Sequence, residues 1–84
     1  LPLEAVFGKV IKSIRINKNI TQAQLAVDST LERSYISELE NGKYQPTLTS
    51  LFDIARGLDI KPSDLVRLVE IEFEMQNQNN RTQN

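Results

Sequence analysis

Carboxylates are the only side chains in this sequence clustered densely enough to suggest acid–base chemistry. Glu70, Glu72 and Glu74 alternate with Val69, Ile71, Phe73 and Met75. Paired carboxylates divide acid and base roles when their environments push their pKa values apart. Three of them at a two-residue spacing read better as a solvated face. The 84 residues include no His and no Cys. Imidazole bases, thiol nucleophiles, zinc fingers and disulfide scaffolds are therefore excluded. A chain this short buries only ~60–65% of the surface its unfolded form exposes, which leaves little room for a deep pocket. No catalytic residue, metal site, cofactor or small-molecule ligand is expected, and the chain is not read as an enzyme.

The elements that carry the remaining polar residues are helical. Length allows one domain. Between Leu3 and Asn17, Phe7, Val10, Ile11 and Ile14 recur at helical spacing, with Lys9, Lys12 and Arg15 on other faces. Asn17-Lys18-Asn19 ends this helix, since Asn tolerates the left-handed conformation. Thr21-Gln22-Ala23-Gln24 has the form of a capping box. It opens a short helix to about Asp28, with Leu25 and Ala26 inward. After a connection over 29–32, a third helix runs from about Arg33 to Glu40 with Ile36 and Leu39 inward, and Asn41-Gly42 stops it.

Thr47 caps a fourth helix whose core stripe is Leu48, Leu51, Ile54, Ala55 and Leu58; Asp59 stands where the chain must turn. Pro62 lies in the first turn of a fifth helix, which carries Leu65, Val66, Leu68 and Val69. Residues 69–75 alternate apolar and charged, a strand period. On a helical wheel, Leu65, Val66, Val69 and Phe73 share one face, and Leu68, Ile71 and Met75 a second. Nothing there breaks a helix, so the helical reading is taken. Residues 76–84 include four Asn and three Gln. The expected organisation is one domain over 1–76 and a disordered polar tail over 77–84. The fold class is all-α, with five helices.

Two short helices about four residues apart, within 21–41, are by themselves a weak signal. The residue pattern is far more specific. Ile20 to Ala26 (ITQAQLA), Arg33 to Lys43 (RSYISELENGK), and then Pro46-Thr47-Leu48, Leu51, Ala55 and Leu58 resemble the Cro/phage-repressor (XRE-like) helix-turn-helix family. The run Leu31 to Ser37 is most like that of the controller proteins of restriction–modification systems. The resemblance covers roughly residues 7–69.

It implies a phage-repressor-like DNA-binding domain in which helices 2 and 3 form the helix-turn-helix and helix 3 enters the major groove. Arg33, Ser34, Ser37 and Glu38 then match base-reading positions. Arg33 suits guanine O6 and N7, and Glu38 suits the cytosine amino group, at a cost near phosphates. Thr21, Gln22, Tyr35, Asn41 and Lys43 match phosphate-contacting positions; Tyr35 equally suits a thymine methyl or partial core packing. Arg15 and Glu40 match a structural ion pair between helices 1 and 3. Two positions depart from the family pattern. Thr30 stands where Gly is usual in the turn, and Glu32 where a small cap residue is usual. Thr disfavours positive φ, so the turn must differ or carry strain.

The formal net charge is -1. Residues 8–43 hold six cations against four acids, +2, and the remainder four against seven, -3. One such subunit would hold DNA weakly at physiological salt. A homodimer would double the contacts and account for surplus apolar residues. Phe52, Leu68, Ile71, Phe73 and Met75 are the candidate interface, and the recognition helices would lie ~34 Å apart on a pseudo-palindromic operator.

No run of 18 apolar residues exists and no signal-peptide pattern is visible, so no membrane partner and a cytoplasmic location are expected. The opening Leu1-Pro2-Leu3, without Met, reads as a trimmed end. The expected function is a sequence-specific DNA-binding transcriptional regulator, with repression and activation both open. The alternative is a protein-interaction module, an adaptor or antitoxin-like partner, on the same fold.

Overall fold

In the computed structural model, five helices follow one another with no strand among the described residues, which are 1–82, with side chains through 78. They are α1 (Leu3–Asn17), α2 (Gln22–Ser29), α3 (Arg33–Glu40), α4 (Leu48–Gly57) and α5 (Pro62–Thr82). Residues 69–75 are helical, as taken from the wheel. α5 continues through Thr82, into the segment expected to be a disordered tail; 83–84 lie outside the described residues.

Local chemistry sets the starts. Thr21 Oγ1 accepts from Gln24 N and Thr47 Oγ1 from Ser50 N, each at 3.0 Å, which satisfies a first-turn N–H that the helix itself leaves unpaired. The capping box expected at Thr21 is only half formed. Gln24 Nε2 donates forward to Asp28 Oδ1 at 2.9 Å instead of turning back, because a partner one turn ahead on the same face competes for it. Glu32 stands at the N-cap position of α3 without a side-chain bond.

The first four helices all stop the same way. A residue with φ between 57° and 74° closes each one: Asn19, Thr30, Gly42 and Asp59. In each case its N–H and the next N–H bond back into the last turn, as in Thr30 N to Val27 O at 3.2 Å and Leu31 N to Ala26 O at 3.0 Å. Gly adopts this conformation freely and Asn and Asp tolerate it. Thr30 is β-branched and does not. The α2–α3 turn therefore keeps the geometry that Gly would give, with the strain held at Thr30 (φ 59°, ψ 37°).

The core joins Val6, Phe7, Val10 and Ile11 of α1 to Leu25, Ile36, Leu39, Ile54, Leu58, Leu65 and Val69. α1 crosses α3 at Gly8, where an added Cβ would run into Leu39 O and sit 2.8 Å from Glu40 O. Two expected core positions are less buried than the stripe predicts. Leu48 is 72% exposed and Leu51 only half-buried, because the first turn of α4 stands clear of the helices that cover Ile54 and Ala55.

Candidate nucleic-acid interface

The angle between α2 and α3 is held from both ends. At the turn, the buried Ser29 hydroxyl donates to Leu25 O at 2.6 Å, and Arg56 Nη2 of α4 donates to Ser29 O at 3.0 Å. At the far end, Arg15 of α1 grips Glu40 of α3. Its Nε donates to Oε2 at 2.7 Å and its Nη2 to Oε1 at 3.1 Å, while Nη1 reaches Ile20 O at 2.8 Å. Gln22 Nε2, in the first turn of α2, donates to the same Glu40 Oε1 at 3.0 Å. The side chains of Arg15 and Glu40 are 12% and 2% exposed. One carboxylate thus ties α1 and α2 to the last turn of α3, and Arg15 adds the loop at Ile20.

Gln22 is consequently not a free surface amide. One of its amide hydrogens is committed to Glu40, and a second remains for another acceptor.

α3 turns Ile36 and Leu39 inward and Arg33 and Ser34 outward, with Ser37 and Glu38 half-buried at the same surface. These four fall at i, i+1, i+4 and i+5, a single stripe. The Arg33 side chain makes no ion pair or hydrogen bond among the described residues, and neither does the Lys43 side chain. Five guanidinium donors in a fixed fork therefore stand unspent at the start of α3. Asn41 and Lys43 are exposed just beyond its end. Thr21 is exposed, with its hydroxyl oxygen occupied by the cap. Tyr35 is half-buried against the core, and its hydroxyl donates to Ser50 Oγ at 3.2 Å. This Ser50 partner was invisible to spacing because it lies on α4.

Sequence reasoning also passed over Tyr44. It is half-exposed in the loop after α3. The Glu38 carboxylate, first as an acceptor for its hydroxyl and then through its charge, raises the Tyr44 pKa above the usual tyrosine value. An aromatic residue two places after the Asn-Gly stop was the available signal.

Of the residues expected to form a dimer surface, Leu68, Ile71 and Met75 share one face of α5. Leu68, Ile71 and Met75 are 43%, 47% and 53% exposed, and the first two line a groove against Lys9, Ser13 and Asn17 of α1. Phe73 is half-buried and packed on the core. Phe52, 52% exposed, lies beside Leu48 on α4 and near Ile60 and Pro62. On α5, Pro62 and Phe73 share the side away from Ile71.

Residues 11–65 match the family model described as Helix-turn-helix. The chain belongs to this helix-turn-helix family. Its relatives include a phage immunity repressor and control proteins, and its structural neighbours include restriction–modification controller proteins. The chain is 33% identical over 70 residues to the control protein C.BamHI of Bacillus amyloliquefaciens, which covers 82% of this chain and 86% of that one. It is 41% identical over 59 residues to the immunity repressor of Bacillus phage phi105, over 70% of this chain and 41% of the repressor's length. In structure, this helix-turn-helix protein superposes on the restriction–modification controller C.Esp1396I with a TM-score of 0.80 at 34% identity, covering 87% and 95% of the two chains. That controller has also been solved as a tetramer in complex with its natural 35-base-pair operator; against this form the TM-score is 0.78 at 36% identity, covering 83% and 92%. No helix among the described residues is long and apolar enough to cross a membrane.

Proposed function

We propose that this chain is a transcriptional regulator that binds a pseudo-palindromic DNA operator as a homodimer, reading bases with Arg33, Ser34, Ser37 and Glu38. The single observation that carries this reading is the outward stripe on α3, where Arg33 is unpaired among the described residues. It stands on a helix whose last turn is held by the Arg15–Glu40 pair and which follows an α2 whose last residue is held by Arg56. Bracing favours base discrimination, because a recognition helix must present its side chains within a fraction of an ångström. Lys43, Asn41 and the spare Gln22 hydrogen are suited to phosphates, as is the Thr21 hydroxyl hydrogen at the start of α2; phosphate contacts position the protein and carry no sequence information. Tyr35, whose hydroxyl hydrogen is given to Ser50, would have to release that bond to donate to a phosphate. The relation to controllers, one of them solved on its operator, supports the same reading. The mild bipolarity of the chain, +2 over 8–43, orients it toward DNA.

Fluorescence anisotropy at two salt concentrations tests this, on a duplex selected from a random pool by the wild-type protein. Specific binding with a clear salt slope is expected, and Arg33→Ala should lose about 1–3 kcal/mol on the selected duplex and less on scrambled DNA. Equal binding of both proteins to every duplex would remove the base-reading role.

A further inference from the structure

α5 presents two apolar stripes. Leu65 and Val69 are buried in the core, whereas Leu68, Ile71 and Met75 are exposed. The exposed residues follow one another at three and then four places, the alternation with which one helix seats along another. Arg67 and Glu74 each stand one place before a residue of this stripe, and both are exposed. They lie seven residues apart on one flank, opposite Glu72. Neither side chain makes an ion pair or hydrogen bond among the described residues. They cannot pair with each other, since seven residues of helix separate them by about 10 Å. Glu72, on the other flank, is already held by Lys9 of α1 at 3.1 Å.

A second copy of the chain satisfies both charges at once. Across a two-fold axis, residue i meets j wherever j meets i. With two α5 helices antiparallel and Ile71 on the axis, Leu68 faces the partner's Met75 and Arg67 faces the partner's Glu74. These pairings agree in register to within one residue, ~1.5 Å of rise. A parallel arrangement fails on charge. It directs Arg67 to the partner's Glu72, which Lys9 already holds, and leaves Glu74 without a cation. We infer that α5 is an antiparallel seam for a second copy of this chain, in which Leu68, Ile71 and Met75 pack across the axis and Arg67 pairs with the partner's Glu74. This inference rests on the homodimer reading above and adds to it the direction and register of the helices and two residues, Arg67 and Glu74. An exposed ion pair adds little affinity, but like charges brought face to face cost more. The pair therefore acts chiefly by rejecting parallel and shifted arrangements.

The chain has no cysteine, so single introduced cysteines report the pairing directly. Leu68→Cys and Met75→Cys, mixed in a thiol–disulfide buffer, should trap a mixed disulfide dimer, and either alone should give far less. Leu68→Cys linking to itself as readily as to Met75→Cys would show parallel helices and overturn the inference. Charge variants test the ion pair by sedimentation, with circular dichroism to check that these exposed substitutions leave the helices intact. Arg67→Glu and Glu74→Arg should each weaken self-association about tenfold. A mixture of the two should associate at least as well as the wild type, because every facing pair is then opposite in sign. Unchanged self-association in both variants removes the ion pair from the interface. Absence of a disulfide in every mixture overturns the seam. If the wild type then still sediments as a dimer, the homodimer reading stands with its interface elsewhere. A wild type that stays monomeric, alone and on its selected duplex, ends that reading as well.

Discussion

Glu40 receives two hydrogen bonds from Arg15, at 2.7 and 3.1 Å, with its side chain only 2% exposed. Two residues 25 positions apart thereby lock the end of α3 against α1. A carboxylate this buried is stable only while its partner stands beside it, because removing the partner leaves an uncompensated charge in a low-dielectric site. Arg15→Ala and Glu40→Ala are each expected to cost about 3–5 kcal/mol in urea denaturation. The paired replacement Arg15→Met with Glu40→Leu should cost clearly less than either. Equal losses in all three proteins would show that the pair adds nothing beyond packing.

Thr30 holds φ 59° where the equivalent closure of α3 uses Gly42 at φ 74°. A β-branched side chain in the left-handed region is strained by roughly 1–2 kcal/mol, against which Gly adds unfolded-state entropy. Thr30→Gly should therefore raise stability by about 0.5–1 kcal/mol, read as a shift in the urea midpoint. A loss of stability would mean that the threonine side chain makes a compensating contact.

Glu72 sits 3.1 Å from the Lys9 ammonium. That hydrogen bond from Lys9 holds its carboxyl below the usual glutamate range, with a smaller assist from Gln76 and from the Lys9 charge, against slight burial. A carboxyl lowered on folding contributes stability above its unfolded value, near pH 4.5, and loses that contribution as pH falls through the folded value. Lys9 is largely exposed, so the contribution should be under about 1 kcal/mol. Urea midpoints for wild type and Lys9→Met should differ at pH 7 and draw together as the pH falls through the carboxylate range. A gap that widens on acidification would reverse the sign of this argument.

Ile71 and Met75 lie exposed on α5, whereas Phe73 is packed against the core. Ile71→Asp is therefore the clean probe of association through this helix, while Phe73→Asp would disturb the fold as well. Sedimentation at micromolar concentration should show a wild-type dimer and an Ile71→Asp monomer with unchanged helical circular dichroism. Phe52→Asp, on the separate α4 patch, should leave the dimer intact. A dimer lost through Phe52→Asp but not through Ile71→Asp would move the interface to α4.

What the sequence by itself determined is the set of elements and the register of the recognition helix. Helices over 3–17 and 33–40 begin and end where their local signals predict, because apolar periodicity and left-handed stops act over a few residues of chain. The inward Ile36 and Leu39 and the outward Arg33 and Ser34 follow from the same short-range periodicity. Only the tertiary structure decided which polar groups are already spent. Gln22 is bonded to Glu40 across 18 residues, Tyr35 to Ser50 across 15, and Arg56 to Ser29 across 27. A hydrogen bond is made or lost over a few tenths of an ångström, and helix periodicity does not specify the relative placement of separate helices to that tolerance.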